Sequence, residues 1–297
     1  MGFDIELYLS IRKGMVDKKL VELLPNPTEP MSRLEEAMRY SILAGGKRLR
    51  PILCIAASEA VGGTIESVIP IACAIEMIHT YSLIHDDLPS MDDDILRRGI
   101  PTNHSVFGEA IAILAGDALL TDAFSLIANH GISGDIDPFV IIEIIQDISR
   151  AAGSQGMVGG QALDLALEGK EVTLDVIEKM DSLKTGALIE ASIISGGRIG
   201  GANENQIYHL RQYAKAIGLA FQVIDDVLDI EGGTEIGKNT GADARKKKAT
   251  YPGIIGVERA KEVATELIKR AVLSLKDFGD RADPLRELAL YIGGRKY

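Results

Sequence analysis

Five aspartates, Asp86, Asp87, Asp92, Asp93 and Asp94, fall within nine residues in His85-Asp86-Asp87-Leu88-Pro89-Ser90-Met91-Asp92-Asp93-Asp94, with Arg97-Arg98-Gly99 just behind. A second acidic group, Asp225, Asp226 and Asp229, lies among apolar residues in Phe221-Gln222-Val223-Ile224-Asp225-Asp226-Val227-Leu228-Asp229. Most aspartate clusters are solvated loops. Here the first pair closes the apolar run 65–86 and the second interrupts a helical pattern. Carboxylates crowded in such places repel one another and are costly to bury. Hard divalent cations cancel that cost, and oxygen-only ligands favour Mg²⁺ over zinc. Mg²⁺ held by a few carboxylates completes its shell with water and phosphate oxygens. Two such clusters facing each other would trap a diphosphate. Asp225 and Asp229, four residues apart, share one helical face, and Gln222 lies on it too.

Basic residues accompany the acids. Gly45-Gly46-Lys47-Arg48-Leu49-Arg50-Pro51 joins two helical patterns. Alone, its cations would complement a helix C-terminus; beside two aspartate clusters they suit an anion site, with arginine giving forked contacts to phosphate. His79 precedes Asp86 by seven residues, so the two side chains are only about 20° apart around a helix. A lone histidine on an apolar helix is more often core, but this one shares the aspartate face. Lys184-Thr185-Gly186 interrupts the pattern 173–195, and glycine there permits a kink that aims Lys184 inward.

The elements that must position these groups read as helices. Apolar residues recur at three- and four-residue spacing over 32–44, 51–61, 65–86, 106–129, 139–152, 173–195, 204–230 and 254–277, punctuated mostly by Gly and Pro. A single all-α domain over 1–297 is expected. Hydrophobic residues at 46% and charged residues at 25% exclude disorder and fibre. The net charge of −11 argues against nonspecific nucleic-acid binding. The longest stretch free of Asp, Glu, Lys and Arg is the 13 residues 151–163, short of the roughly 20 apolar residues of a membrane span, so no span is expected. MGFDIELYLS lacks the basic-then-apolar pattern of a secretory signal. The two cysteines, Cys54 and Cys73, sit in apolar helical patterns and read as small core residues of a reducing compartment, here the cytoplasm.

Taken together, DDLPSMDDD with RRG behind it, GGKRLRP, GQALDL, LKTGALI and FQVIDDVLD resemble the trans-isoprenyl diphosphate synthases, in that family's order from residue 45 to the KATYP at 248–252. The resemblance implies the isoprenoid synthase fold, a bundle of long helices around a deep central cavity, as a homodimer. It also implies three Mg²⁺ ions per site, held by Asp86 and Asp92 with Asp87 in support, and by Asp225 with Asp226 and Asp229 nearby. Asp164 of GQALDL is similar to a position that approaches the same metals. Arg97, Lys184, Thr185, Gln222 and Lys238 would grip the allylic diphosphate; Lys47, Arg50, His79 and Arg98 would hold isopentenyl diphosphate without metal. Ser90 and Ile100 depart from residues common beside the first motif, and the tail Gly293-Gly294-Arg295-Lys296-Tyr297 follows no family pattern.

The implied reaction ionises the allylic diphosphate, whose leaving charge Mg²⁺ and side-chain cations stabilise. The double bond of isopentenyl diphosphate then attacks, and a proton is lost to the departed diphosphate. Water must be kept out, so closure around 231–250 is expected. A terpene cyclase also ionises prenyl diphosphates but cradles its cations on aromatic faces, and this chain has no Trp and only 5% aromatics. An inactive helical subunit would have no reason to keep both acidic motifs. Product length turns on Tyr81, five residues before Asp86 and so about 7.5 Å along the axis. Its ring as tunnel floor implies farnesyl diphosphate; the small Ser82 beside it leaves room for geranylgeranyl diphosphate as the alternative.

Overall fold

The computed structural model describes residues 3–134, 136–231 and 250–294. The chain begins with α1 (Ile5–Leu23), whose N-terminal amide of Leu7 is capped by the Asp4 carboxylate at 3.0 Å. Next come α2 (Ser32–Leu43), α3 (Leu49–Ala60) and α4 (Ile65–Asp86), the last capped by Thr64. A hairpin of two short strands, β1 (Leu96–Arg97) and β2 (Ile100–Pro101), leads into α5 (Asn103–Phe107), α6 (Glu109–Ser133) and α7 (Pro138–Ala152). After α8 (Met157–Leu167) and α9 (Leu174–Asp181), a π-helical turn over Ser182–Gly186 runs straight into α10 (Ala187–Ile199). The long α11 (Glu204–Glu231) follows, and α12 (Tyr251–Ile255), α13 (Val257–Ser274) and α14 (Asp283–Gly293) end the described chain.

Helices α3 and α10 are central because they are apolar on two sides. Ile52, Leu53 and Ala56 of α3 join Ile189 and Ile193 of α10 in a core shared with α11, α13 and α14. Cys54 and Ile55 of α3, with Leu188 and Ala191 of α10, face a second core built on α4, α6 and α7. Ile52, Leu53, Ile55, Ile71, Ile75 and Ile78 have no exposed surface, each contributing about 1.5–3 kcal/mol on burial. Cys54 and Cys73 are free and buried, as the sequence implied.

Most expected helices form, with informative breaks. The pattern 106–129 is cut at Gly108, whose φ is +85°, into α5 and α6. Residues 173–195 are cut by the π-helical turn, where the Lys-Thr-Gly sequence suggested a kink. Helices α1, α8 and α14 lie outside the expected segments: α1 spreads its apolar residues around its circumference, and α8 begins in a glycine-rich stretch. The longest uncharged stretch understates how apolar two of the helices are. Both α4 (22 residues) and α6 (25 residues) meet the length and apolarity of a span while carrying a few charges. In α4 that apolar surface is committed to the core, with 72% of its apolar window buried.

Candidate active site

Asp86 is the last residue of α4 and Asp87 its cap. The chain then doubles back: the Asp92 amide donates to the Asp86 carbonyl at 2.9 Å, and the Asp93 amide to Leu88 at 3.1 Å. This fold, with Asp93 at a φ of +54°, brings Asp92 beside Asp86; both are half-buried. Asp87 turns the other way. It is buried against Arg97, whose Nε and Nη2 lie 2.6 and 2.5 Å from Oδ1. Burial pushes its carboxyl up to about 6, with Arg97 opposing the shift. Arg98 and Gly99 form the two-residue turn of the β1–β2 hairpin, with φ of +54° and +79°, the positive values a type I′ turn requires. The turn directs Arg98 across to the basic loop, where its guanidinium donates to the Gly45 carbonyl.

Within that loop the three cations divide their work. Arg48, outside the ligand set that the resemblance implies, holds the loop in place. Its guanidinium donates to Asp17 of α1 (2.8 Å), Glu76 of α4 (2.7 Å) and the Ile42 carbonyl of α2 (2.5 Å). So fixed, the loop leaves Lys47 exposed beside a cavity of about 350 Å³ lined by Leu49, Phe221 and Tyr291. Arg50 points its Nη1 at His79 Nε2, 3.3 Å away, while its buried Nε has no hydrogen-bond partner. Burial, then Arg50, Arg98, Arg97 and Arg48, drive the His79 pKa well below its usual value, so the ring is neutral at neutral pH. Arg50 is attracted by Glu76 and also by Asp225 of α11, which ties this loop electrostatically to the second acidic motif.

On that second side, Lys184 emerges from the π-helical turn and donates to Asp164 of α8 at 2.6 Å. Gly160 makes this approach possible, because a Cβ there would lie 2.3 Å from the Lys184 amide nitrogen. Thr185 Oγ1 donates to Gln222 Oε1 at 3.1 Å, and Gln222 Nε2 to Asp226 Oδ1 at 2.8 Å. The other Asp226 oxygen accepts from the Tyr251 amide at 3.0 Å. Thus the Gln222 amide links Thr185 to the buried Asp226; Asp225 and Asp229 are half-buried. Lys238 lies outside the described residues. Tyr81 is buried below Asp86, and the half-buried Ser82 turns its hydroxyl back to the His79 carbonyl at 2.9 Å.

Among the described residues, no three of His, Cys, Asp and Glu cluster closely enough to hold a metal unaided. The donor set is carboxylate only and split between the end of α4 and α11. That suits Mg²⁺, which takes much of its shell from water and phosphate oxygens, better than a metal caged by protein.

The family model described as Polyprenyl synthetase matches residues 31–284. The chain belongs to the polyprenyl synthetase family. A geranylgeranyl diphosphate synthase of Cyanophora paradoxa is 46% identical, over 99% of this chain and 97% of that protein. The heterodimeric geranylgeranyl pyrophosphate synthase large subunit 1, chloroplastic, of Arabidopsis thaliana is also 46% identical, over 99% of this chain and 80% of its own. Among solved structures, an FPP/GFPP synthase from Zymomonas mobilis superposes with a TM-score of 0.87 at 41% identity, covering 98% and 99% of the two chains. As a polyprenyl synthetase, the protein is an all-α prenyltransferase of a family that is Mg²⁺-dependent in general.

Proposed function

We propose that this polyprenyl synthetase joins isopentenyl diphosphate head-to-tail to allylic diphosphates and releases geranylgeranyl diphosphate. The observation that carries the reading is the fold-back that sets Asp92 beside Asp86 at the end of α4, with Arg50 3.3 Å from His79 on the same helix. Asp86 and Asp92, supported by Asp87, and Asp225 with Asp226, Asp229 and Asp164, would hold three Mg²⁺ ions. Those ions, when bound, neutralise charge on the allylic diphosphate.

The chain's own groups do the rest. Lys184, Thr185, Gln222, Arg97 and Lys238 grip the allylic diphosphate, and the cations among them stabilise the negative charge that grows as the allylic C–O bond breaks. Lys47, Arg50 and Arg98 hold the diphosphate of isopentenyl diphosphate, with neutral His79 as a hydrogen-bonding neighbour. The double bond forms a new C–C bond to the allylic carbon, and the proton then lost goes to the departed diphosphate. No described side chain is needed as base.

The sequence put farnesyl diphosphate first; the names of the curated relatives favour the geranylgeranyl alternative. Farnesyl diphosphate is the second reading, favoured by the buried Tyr81 ring below Asp86. Exposed apolar side chains on neighbouring α6 and α7, Leu114, Phe139 and Ile142, suit a homodimer. The cytoplasm is the compartment this reading assigns. Its two free thiols suit any reducing compartment, the chloroplast in the plant relatives' names included. The test is incubation with Mg²⁺, isopentenyl diphosphate and each allylic starter, with products weighed by mass spectrometry. Linear geranylgeranyl diphosphate is expected. Linear product stopping at farnesyl selects the second reading, and cyclic hydrocarbons or no product overturn both.

A further inference from the structure

Tyr81 and His85 are one helical turn apart on α4, and their rings meet edge to face, with centroids 5.6 Å apart and planes at 83°. The imidazole is held from its far side by α6. Its Nε2 lies 3.1 Å from the Ile113 carbonyl, with Asp117 Oδ1 at 3.9 Å. Between those two positions stands Gly116. A Cβ built there would lie 2.2 Å from His85 Nε2 and 2.6 Å from Cδ2. The missing side chain is therefore a recess in α6 that the imidazole fills. Tyr81 belongs to the α4–α6 core with Ala112 and Ala115. Among the described residues, the ring contact of Tyr81 is the one to His85, and a T-shaped pair favours one orientation of the ring.

We propose that His85, seated in the Gly116 recess, is the positioning residue that holds the Tyr81 ring across the path of the growing prenyl chain, which makes Gly116 a determinant of product length. This rests on the second reading above, in which the Tyr81 ring is the tunnel floor and the parental product is farnesyl diphosphate. Any side chain at position 116 evicts the imidazole. Because the displaced atoms end a side chain that is 28% exposed, the ring swings toward solvent and the helices stay packed. Tyr81 then loses the neighbour that fixes it, and the floor opens.

The experiment weighs the products of Gly116→Ala, Tyr81→Ala and the double variant, made from isopentenyl diphosphate and geranyl diphosphate with Mg²⁺. Gly116→Ala should raise the ratio of longer to parental product about tenfold, Tyr81→Ala should do likewise, and the double variant should go no further than Tyr81→Ala. Parental products from Gly116→Ala beside longer ones from Tyr81→Ala overturn the positioning role and leave the floor standing. Parental products from Tyr81→Ala remove the floor and this inference with it. Effects that multiply in the double variant show Gly116 acting apart from Tyr81, which also overturns the proposal. Should Gly116→Ala not fold, His85→Ala reads the same outcomes without touching the α6 backbone.

Discussion

Arg48 Nη1 donates to Glu76 Oε1 at 2.7 Å, and the two side chains are 1% and 2% exposed. This pair joins the basic loop to α4, the helix that also carries His79. Breaking a buried ion pair on one side leaves an uncompensated charge, at a cost of about 3–5 kcal/mol. Glu76→Leu should therefore lower stability by that amount in urea unfolding. Arg48→Met with Glu76→Leu should lose less than the two single losses together. Purely additive losses would mean that the two residues act separately.

His79 gives stability a pH dependence with a definite sign. Its folded pKa lies well below 6.5, so below that value the unfolded chain binds a proton that the folded chain does not. Stability then falls as pH drops through the unfolded pKa, by up to about 1.4 kcal/mol per pH unit. Urea unfolding between about pH 6.5 and 5 should show a steeper loss for the parent than for His79→Gln. Equal slopes would place His79 in a solvated, unperturbed setting.

Lys184 is held toward Asp164 by the π-helical turn and the bare backbone of Gly160. Lys184→Gln removes one cation facing the departing diphosphate and should lower kcat about 10²–10³-fold with little change in unfolding midpoint. Gly160→Val should lower both, because the new side chain meets the Lys184 backbone. A Lys184→Gln enzyme with parental kcat would confine that lysine to a structural pair.

Both acidic motifs were legible because charge stands out in an apolar helical pattern, and His79 because spacing alone sets its face. The separate role of Arg48 was not, since nothing local distinguishes it from Lys47 or Arg50. Its inward turn follows from a left-handed backbone, φ +51°, and from Glu76 on a distant helix. Glu76, the acid in the interior of a run whose other acids, Glu66 and Asp86, lie at its ends, was the available signal. Gln222 fits the Asp225 face by spacing, but its amide bonds Asp226, a rotamer choice made by Thr185 across the site. Product length was least readable. On the proposed role of Tyr81 it depends on α4 and α6 together, and Gly116 gains meaning only against His85.

The central claim is that the C-terminal ends of α4 and α11 act on one diphosphate. Its most direct test is single-turnover kinetics of Asp86→Asn, Asp225→Asn and the double variant, with Mg²⁺, isopentenyl diphosphate and an allylic starter. Each single change should slow condensation about 10³-fold, and the double should be little slower than the worse single, as for groups that work as a unit. A rate within about twofold of the parent in either single variant would contradict the account.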